Sequence, residues 1–180
     1  MTSFDDLDFS PAAPTAAQLI NQTSGAFEWY TPGPIVEAAR AAMGSIDLDP
    51  ASSAAANERV KAKSFFTEAD DGLSIMWWGN VWLNHPFGRV QNPLWIRKVV
   101  EGWDGKYYDQ LCCITYACTS EAWFQPLLKQ VQCYLCPRTN YYLPNGKIKK
   151  GVTKGSVVTY FGPNQDQFQE AFKSLGTIKW

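Results

Sequence analysis

The sequence predicts an α/β fold, a largely parallel sheet with a mixed, antiparallel edge. Two observations carry this. Short apolar runs that end at proline or glycine turns alternate with stretches of helical periodicity through the first two thirds of the chain. The last third then brings closely spaced β-branched and aromatic runs, which favour antiparallel pairing. At 180 residues the chain is large enough for a full core without disulfides or metal, and no internal repeat divides it.

Residues 1–25 are rich in Ala, Pro, Thr, Ser and Asp without apolar periodicity and read as a flexible arm, leaving 26–180 as a single domain. Order is expected to begin at Phe27-Glu28-Trp29-Tyr30-Thr31-Pro32, with Thr31 capping a helix and Pro32 in its first turn. That helix carries Ile35, Val36, Ala39 and Met43 on one face, and Gly44 ends it.

Ile46-Asp47-Leu48-Asp49 reads as a short strand stopped by Pro50. The small residues from Ala51 to Asn57 either continue as helix or let a backbone approach an adenosine-bearing ligand, for which Asp49 could accept hydrogen bonds. Residues 63–66 form a second short strand, followed by an acidic turn ending in Asp70-Asp71-Gly72.

Val81-Trp82-Leu83-Asn84-His85-Pro86-Phe87-Gly88 reads as a buried strand that exits into an amide, a proline turn and an exposed aromatic ring. Such an exit lies at the carboxyl end of a strand, where open α/β sheets bind ligands, and Phe87 offers a flat face to a planar group such as a nucleobase. Residues 92–103 show helical spacing with Gly102 as the stop, and 110–116 reads as a buried strand. Residues 120–130 read as helix despite Pro126, and 131–136 as strand. Residues 140–143 and 156–161 are expected to pair as a hairpin around a basic loop. Asn164 and Gln167 suggest a capping box for a last helix, before a strand that closes at Trp180.

Composition narrows the classes. No apolar run approaches the about 18 residues that span a bilayer, and residues 1–14 lack a signal peptide's pattern, so a cytoplasmic protein without membrane partners is expected. The five cysteines lie between Cys112 and Cys136 and read as reduced core residues. Cys133 and Cys136 would face opposite sides of a strand and His85 is the lone histidine, so no metal site is expected. Charge is uneven: the first 50 residues hold seven acids against Arg40, whereas residues 122–165 hold Lys129, Arg138, Lys147, Lys149, Lys150 and Lys154 and no acid. That basic stretch could neutralise phosphates.

With Trp29-Tyr30-Thr31-Pro32, Asp47-Leu48-Asp49-Pro50-Ala51-Ser52, Asp71-Gly72-Leu73 and Asn84-His85-Pro86-Phe87 in that order, the chain resembles the phage-type DNA N6-adenine methyltransferases. Arg138 and Tyr160-Phe161-Gly162-Pro163-Asn164 extend the resemblance over residues 28–180. It implies a Rossmann-like, S-adenosylmethionine-dependent methyltransferase fold, DNA as partner, and the host cell's cytoplasm as location. It also implies a mark that protects phage DNA from restriction.

The resemblance implies a cofactor set of Tyr30, Thr31, Pro32, Asp47, Asp49, Pro50, Ala51, Ser52, Asn57 and Asp71. Among these Asp49 would face the methionine ammonium, Asp71 the adenine and Asn57 the ribose. Asn84, His85, Pro86 and Phe87 would match the catalytic motif written Asp/Asn-Pro-Pro-Tyr/Phe, and Arg138, Lys147, Lys149, Lys150 and Lys154 would contact DNA. Because an exocyclic amine is a poor nucleophile, such a site aligns and polarises rather than forming a covalent intermediate.

His85 departs from the pattern, standing where the second position is usually proline. Either its carbonyl keeps its place while its ring contacts DNA or solvent, or the turn has lost its rigidity and the protein binds without turnover. N4-cytosine methylation, which uses the same amine chemistry, is the other alternative. C5-cytosine methylation is set aside because the chain has Cys136-Pro137 rather than a Pro-Cys turn.

Overall fold

A computed structural model of the chain describes residues 29–143, 145–149 and 152–180. The expected arm and Lys150 lie outside the described residues.

Helix α1 (Gly33–Met43) precedes β1 (Leu48–Asp49), α2 (Ala54–Val60) and β2 (Ser64–Phe65). Then come β3 (Asn80–Leu83), α3 (Gln91–Asp104), β4 (Gln110–Tyr116) and a 3-10 helix (Ala122–Lys129). The chain closes with β5 (Val131–Leu135), β6 (Ser156–Phe161), α4 (Gln165–Phe172) and β7 (Gly176–Lys179).

The strands form one seven-stranded sheet in the order β2-β1-β3-β4-β6-β5-β7. β2, β1, β3 and β4 run parallel, while β6, β5 and β7 join by antiparallel pairings. The antiparallel strands occupy one side of the sheet and make up nearly half of it. β1 lies between β2 and β3, so the chain leaves β1 toward one side and returns for β3 on the other. That reversal opens a crevice at the carboxyl ends of β1 and β3.

The period of two sorts side chains onto two cores. Trp82, Cys112, Ile114, Val158 and Tyr160 point to the face covered by α1 and α4, packing on Val36, Ala39, Phe168 and Phe172. Val81, Leu83, Leu111, Cys113, Val157 and Phe161 point to the other face, against Trp95, Ile96 and Val99 of α3 and Phe124 and Leu127 of the 3-10 helix. Each such Val, Leu, Ile or Phe side chain withdrawn from water stabilises the fold by about 1.5–3 kcal/mol. Cys112, Cys113 and Cys133 are free, buried core residues as expected, whereas Cys136, one residue beyond β5, is exposed.

Five local expectations are corrected. Thr31 does not cap: α1 begins after Pro32 without a side-chain cap, and the buried Thr31 hydroxyl has no partner. Gly102 does not stop α3. It carries the Tyr108 ring, since a Cβ there would lie 2.6 Å from Tyr108 Cε1. Residues 120–130 hold a 3-10 helix around Pro126 rather than an α-helix. The hairpin of 140–143 with 156–161 does not form, because β6 is buried at every position and belongs inside the sheet, between β4 and β5. Tyr142 makes isolated bridges to Tyr30 and Ile148 instead. The capping box is absent because tertiary contacts claim both side chains: Asn164 Nδ2 donates to Gln110 Oε1 and Gln167 Nε2 to the Ala41 carbonyl.

Candidate active site

The crevice beyond β1 and β3 is an open cleft of about 1440 Å³. Its walls come from Trp29 to Thr31, Asp49 to Ser53, Asp71 to Leu73, Asn84 to Pro93, Tyr116, the start of the 3-10 helix, Lys149 and Lys154.

On the β1 side, Asp49 is 2 % exposed and its Oδ1 accepts from the Ala51 amide at 3.3 Å. Burial pushes its pKa up to about 7, against the pull of the hydrogen bonds from Ser52 and Ala51. Among the described residues no lysine or arginine pairs with it. A buried carboxylate without a cation is costly, and in a cleft it marks a place for one. Pro50 roofs this corner: its carbonyl lies against Gly72, where a Cβ would come within 1.9 Å of that oxygen. Asp71 and Leu73 are brought to the cleft by this approach, which only glycine allows.

Ser53 caps α2, its Oγ accepting from the Ala56 amide at 3.1 Å and lying 3.3 Å from the Tyr30 hydroxyl. Tyr30 is itself pinned by paired backbone hydrogen bonds to Tyr142 at 2.8 and 2.9 Å. The Thr31 hydroxyl lies buried in the cleft wall, unpartnered.

On the β3 side, Asn84 is half-buried and its Nδ2 donates to the Trp29 carbonyl at 2.6 Å. That bond decides which way the amide points and leaves Oδ1 as an acceptor facing other groups. Phe87 is half-buried rather than exposed, 4.7 Å from the Tyr116 ring and 5.9 Å from Tyr141. Trp29 stands edge-on to Tyr141 at 5.6 Å and to Tyr116 at 6.5 Å. These rings make an aromatic chamber beside Asn84. Lys149 Nζ lies 5.9 Å from the Trp29 ring centre and Lys154 Nζ 5.5 Å from that of Tyr116.

The His85 ring is almost wholly withdrawn from solvent, not turned outward to it. It is 2 % exposed, its ring parallel to Trp95 at 6.1 Å, and its Nδ1 donates to the Pro86 carbonyl at 3.0 Å. Burial lowers its pKa to about 4, so the ring is neutral at physiological pH.

The cleft gathers Tyr30, Thr31, Asp49, Pro50, Ala51, Ser52, Asp71, Asn84, His85, Pro86, Phe87, Lys149 and Lys154. Other expected residues stand elsewhere. Asp47 sits at the opposite end of the parallel strands, bound to Lys63 at 2.7 Å, the Asn80 amide at 2.9 Å and Ser45 at 3.0 Å. Burial opposes its charge, but those bonds outweigh it and hold the carboxyl below its ordinary range. Asn57 closes the end of α2 by exchanging hydrogen bonds with the Ala62 backbone. Pro32 accepts the first backbone bonds of α1, and the exposed Arg138 and Lys147 do not line the cleft.

Trp29, Tyr116 and Arg59 line the cleft without a site role assigned to them from sequence. The surplus of eight tryptophans and eight tyrosines was the available signal for the first two. No group of metal-binding side chains occurs among the described residues, and no helix among them is long and apolar enough to cross a membrane.

A family model described as DNA N-6-adenine-methyltransferase (Dam) matches residues 22–171. No curated protein and no solved structure matches the chain.

Proposed function

We propose, for a chain that belongs to the DNA N-6-adenine-methyltransferase family, that it moves a methyl group from S-adenosylmethionine to the N6 amine of adenine in DNA. The observation that carries this reading is the Asn84 amide, tethered through Nδ2 to Trp29 so that Oδ1 remains an acceptor at the mouth of an aromatic chamber.

The residues present suit the cofactor. Asp49, whose carboxylate is the one buried among the described residues, fits an α-ammonium, and the orphaned Thr31 hydroxyl offers a donor to the neighbouring carboxylate end. Pro50 to Ser52 and Asp71 to Leu73 would hold the adenosine portion. The bound cofactor supplies a methyl group already activated on a sulfonium.

The chain's own residues would do the rest. Asn84 Oδ1 and the His85 carbonyl would accept the two N6 hydrogens, drawing electron density onto nitrogen and aiming its lone pair. Phe87 would stack on the base once it leaves the duplex, and Trp29 and Tyr116 would complete the chamber. Lys149 and Lys154, at its rim, are suited to the flanking phosphates.

The test is to incubate the protein with labelled S-adenosylmethionine and unmethylated DNA and to identify the labelled nucleoside. N6-methyladenine is expected. N4-methylcytosine would move the assignment to the other exocyclic amine, and absence of product with the cofactor bound would mark a non-catalytic scaffold.

A further inference from the structure

We propose that His85 is a positioning residue that does the work of a proline by locking its ring onto Trp95, so that an aromatic column holds the catalytic turn in place. This inference rests on the proposed methyl-transfer role of the same turn.

The turn must fix two acceptors, the Asn84 amide and the His85 carbonyl. A proline at the second position would do this by restricting φ. Pro86 already disfavours helical backbone at His85, and what a histidine leaves free is rotation that its ring can suppress. Three contacts do so. The ring lies parallel to Trp95, 8° between planes; its Nδ1–H donates to the Pro86 carbonyl at 3.0 Å; and Phe87 packs edge-on at 5.5 Å.

The column continues inward. Trp95 stacks on Trp77 at 6.1 Å, and Trp77 Nε1 donates to the Gly72 carbonyl at 2.8 Å. Gly72 is the residue pressed against Pro50 on the other side of the cleft. The turn that would act on the base is thereby referenced to the turn beside the cofactor region. The same bond assigns one neutral tautomer, with the proton on Nδ1 and Nε2 buried without a partner.

His85 is the lone histidine, so ¹⁵N-histidine labelling gives a single unambiguous ring signal. The wild-type ring is expected as the Nδ1–H tautomer, not titrating between about pH 8 and 5. Trp95→Leu should release it to titrate near its ordinary value, and Trp95→Phe should restore the locked signature. In parallel, His85→Ala should lower kcat about a hundredfold with KM for cofactor and DNA unchanged.

A freely titrating wild-type ring or full kcat in His85→Ala would each overturn the inference. If wild-type protein transfers no methyl group to adenine, the functional reading fails. The ring signature in the Trp95 variants still decides whether the column exists.

Discussion

Asn84 Nδ2 and the Trp29 carbonyl oxygen lie 2.6 Å apart, joining the turn after β3 to the segment ahead of α1. The bond distinguishes asparagine from aspartate here, although either fits the general motif. In Asn84→Asp the donor is lost and a carboxylate oxygen faces a carbonyl, so kcat is expected to fall about 10- to 100-fold while cofactor affinity is retained. Single-turnover rates at several pH values check this; an aspartate variant as fast as the parent would remove the orienting role of Trp29.

Cofactor binding should depend on pH through Asp49. Its folded carboxyl titrates at about 7 against 3.8 for a solvated one, so between those values the free native protein holds a proton that the unfolded chain has released. This group's contribution to stability is therefore greatest below pH 3.8 and declines as pH rises to about 7. An ammonium requires the charged carboxylate, and S-adenosylmethionine affinity should fall by about tenfold per unit below pH 7. Calorimetric titration from pH 5 to 8 measures the slope, and Asp49→Asn should flatten it, weaken binding and raise the melting temperature of the free protein.

The basic residues should divide into two groups. Lys149 and Lys154 line the cleft and Arg138 and Lys147 do not. Replacing the first pair by glutamine should lower the slope of log Kd against log salt by about 2 and reduce kcat/KM on DNA. Replacing the second pair should leave kcat/KM nearly unchanged. Equal effects would mean that the loop acts as general basic surface.

Gly72→Ala places a Cβ 1.9 Å from the Pro50 carbonyl, a backbone atom that cannot move aside without opening the roof over Asp49. A loss of about 2–4 kcal/mol in stability is expected, together with weaker cofactor binding. Thermal unfolding with and without the cofactor measures both; a variant stable and binding as the parent would show that the Gly72 turn does not frame the site.

The cleft's location was legible because strand exits advertise themselves locally. Pro50 after Asp49 and the Asn84 to Phe87 turn after Leu83 mark chain ends of strands, and two such exits in a parallel sheet converge. What tertiary contacts decide was not legible. Asn57, Asn164 and Gln167 carry polar groups that suit a ligand or a cap, yet the Ala62 backbone, the Gln110 side chain and the Ala41 carbonyl satisfy them. Asp47 looked equivalent to Asp49 two residues on, but lies at the other end of the parallel strands, where Lys63 meets it. β6 read as a hairpin partner of its sequence neighbour, and only its burial on both faces reveals a central strand. The chamber of Trp29, Phe87 and Tyr116 assembles residues far apart in the chain, which composition could count and not place.

The most direct measurement compares wild-type protein with Asn84→Ala, using labelled S-adenosylmethionine and unmethylated DNA, with cofactor affinity determined on the same preparations. N6-methyladenine is expected from the wild type, with a loss of at least about a hundredfold in Asn84→Ala and cofactor affinity changed by less than about threefold. Label in N6-methyladenine at an undiminished rate from Asn84→Ala would contradict it.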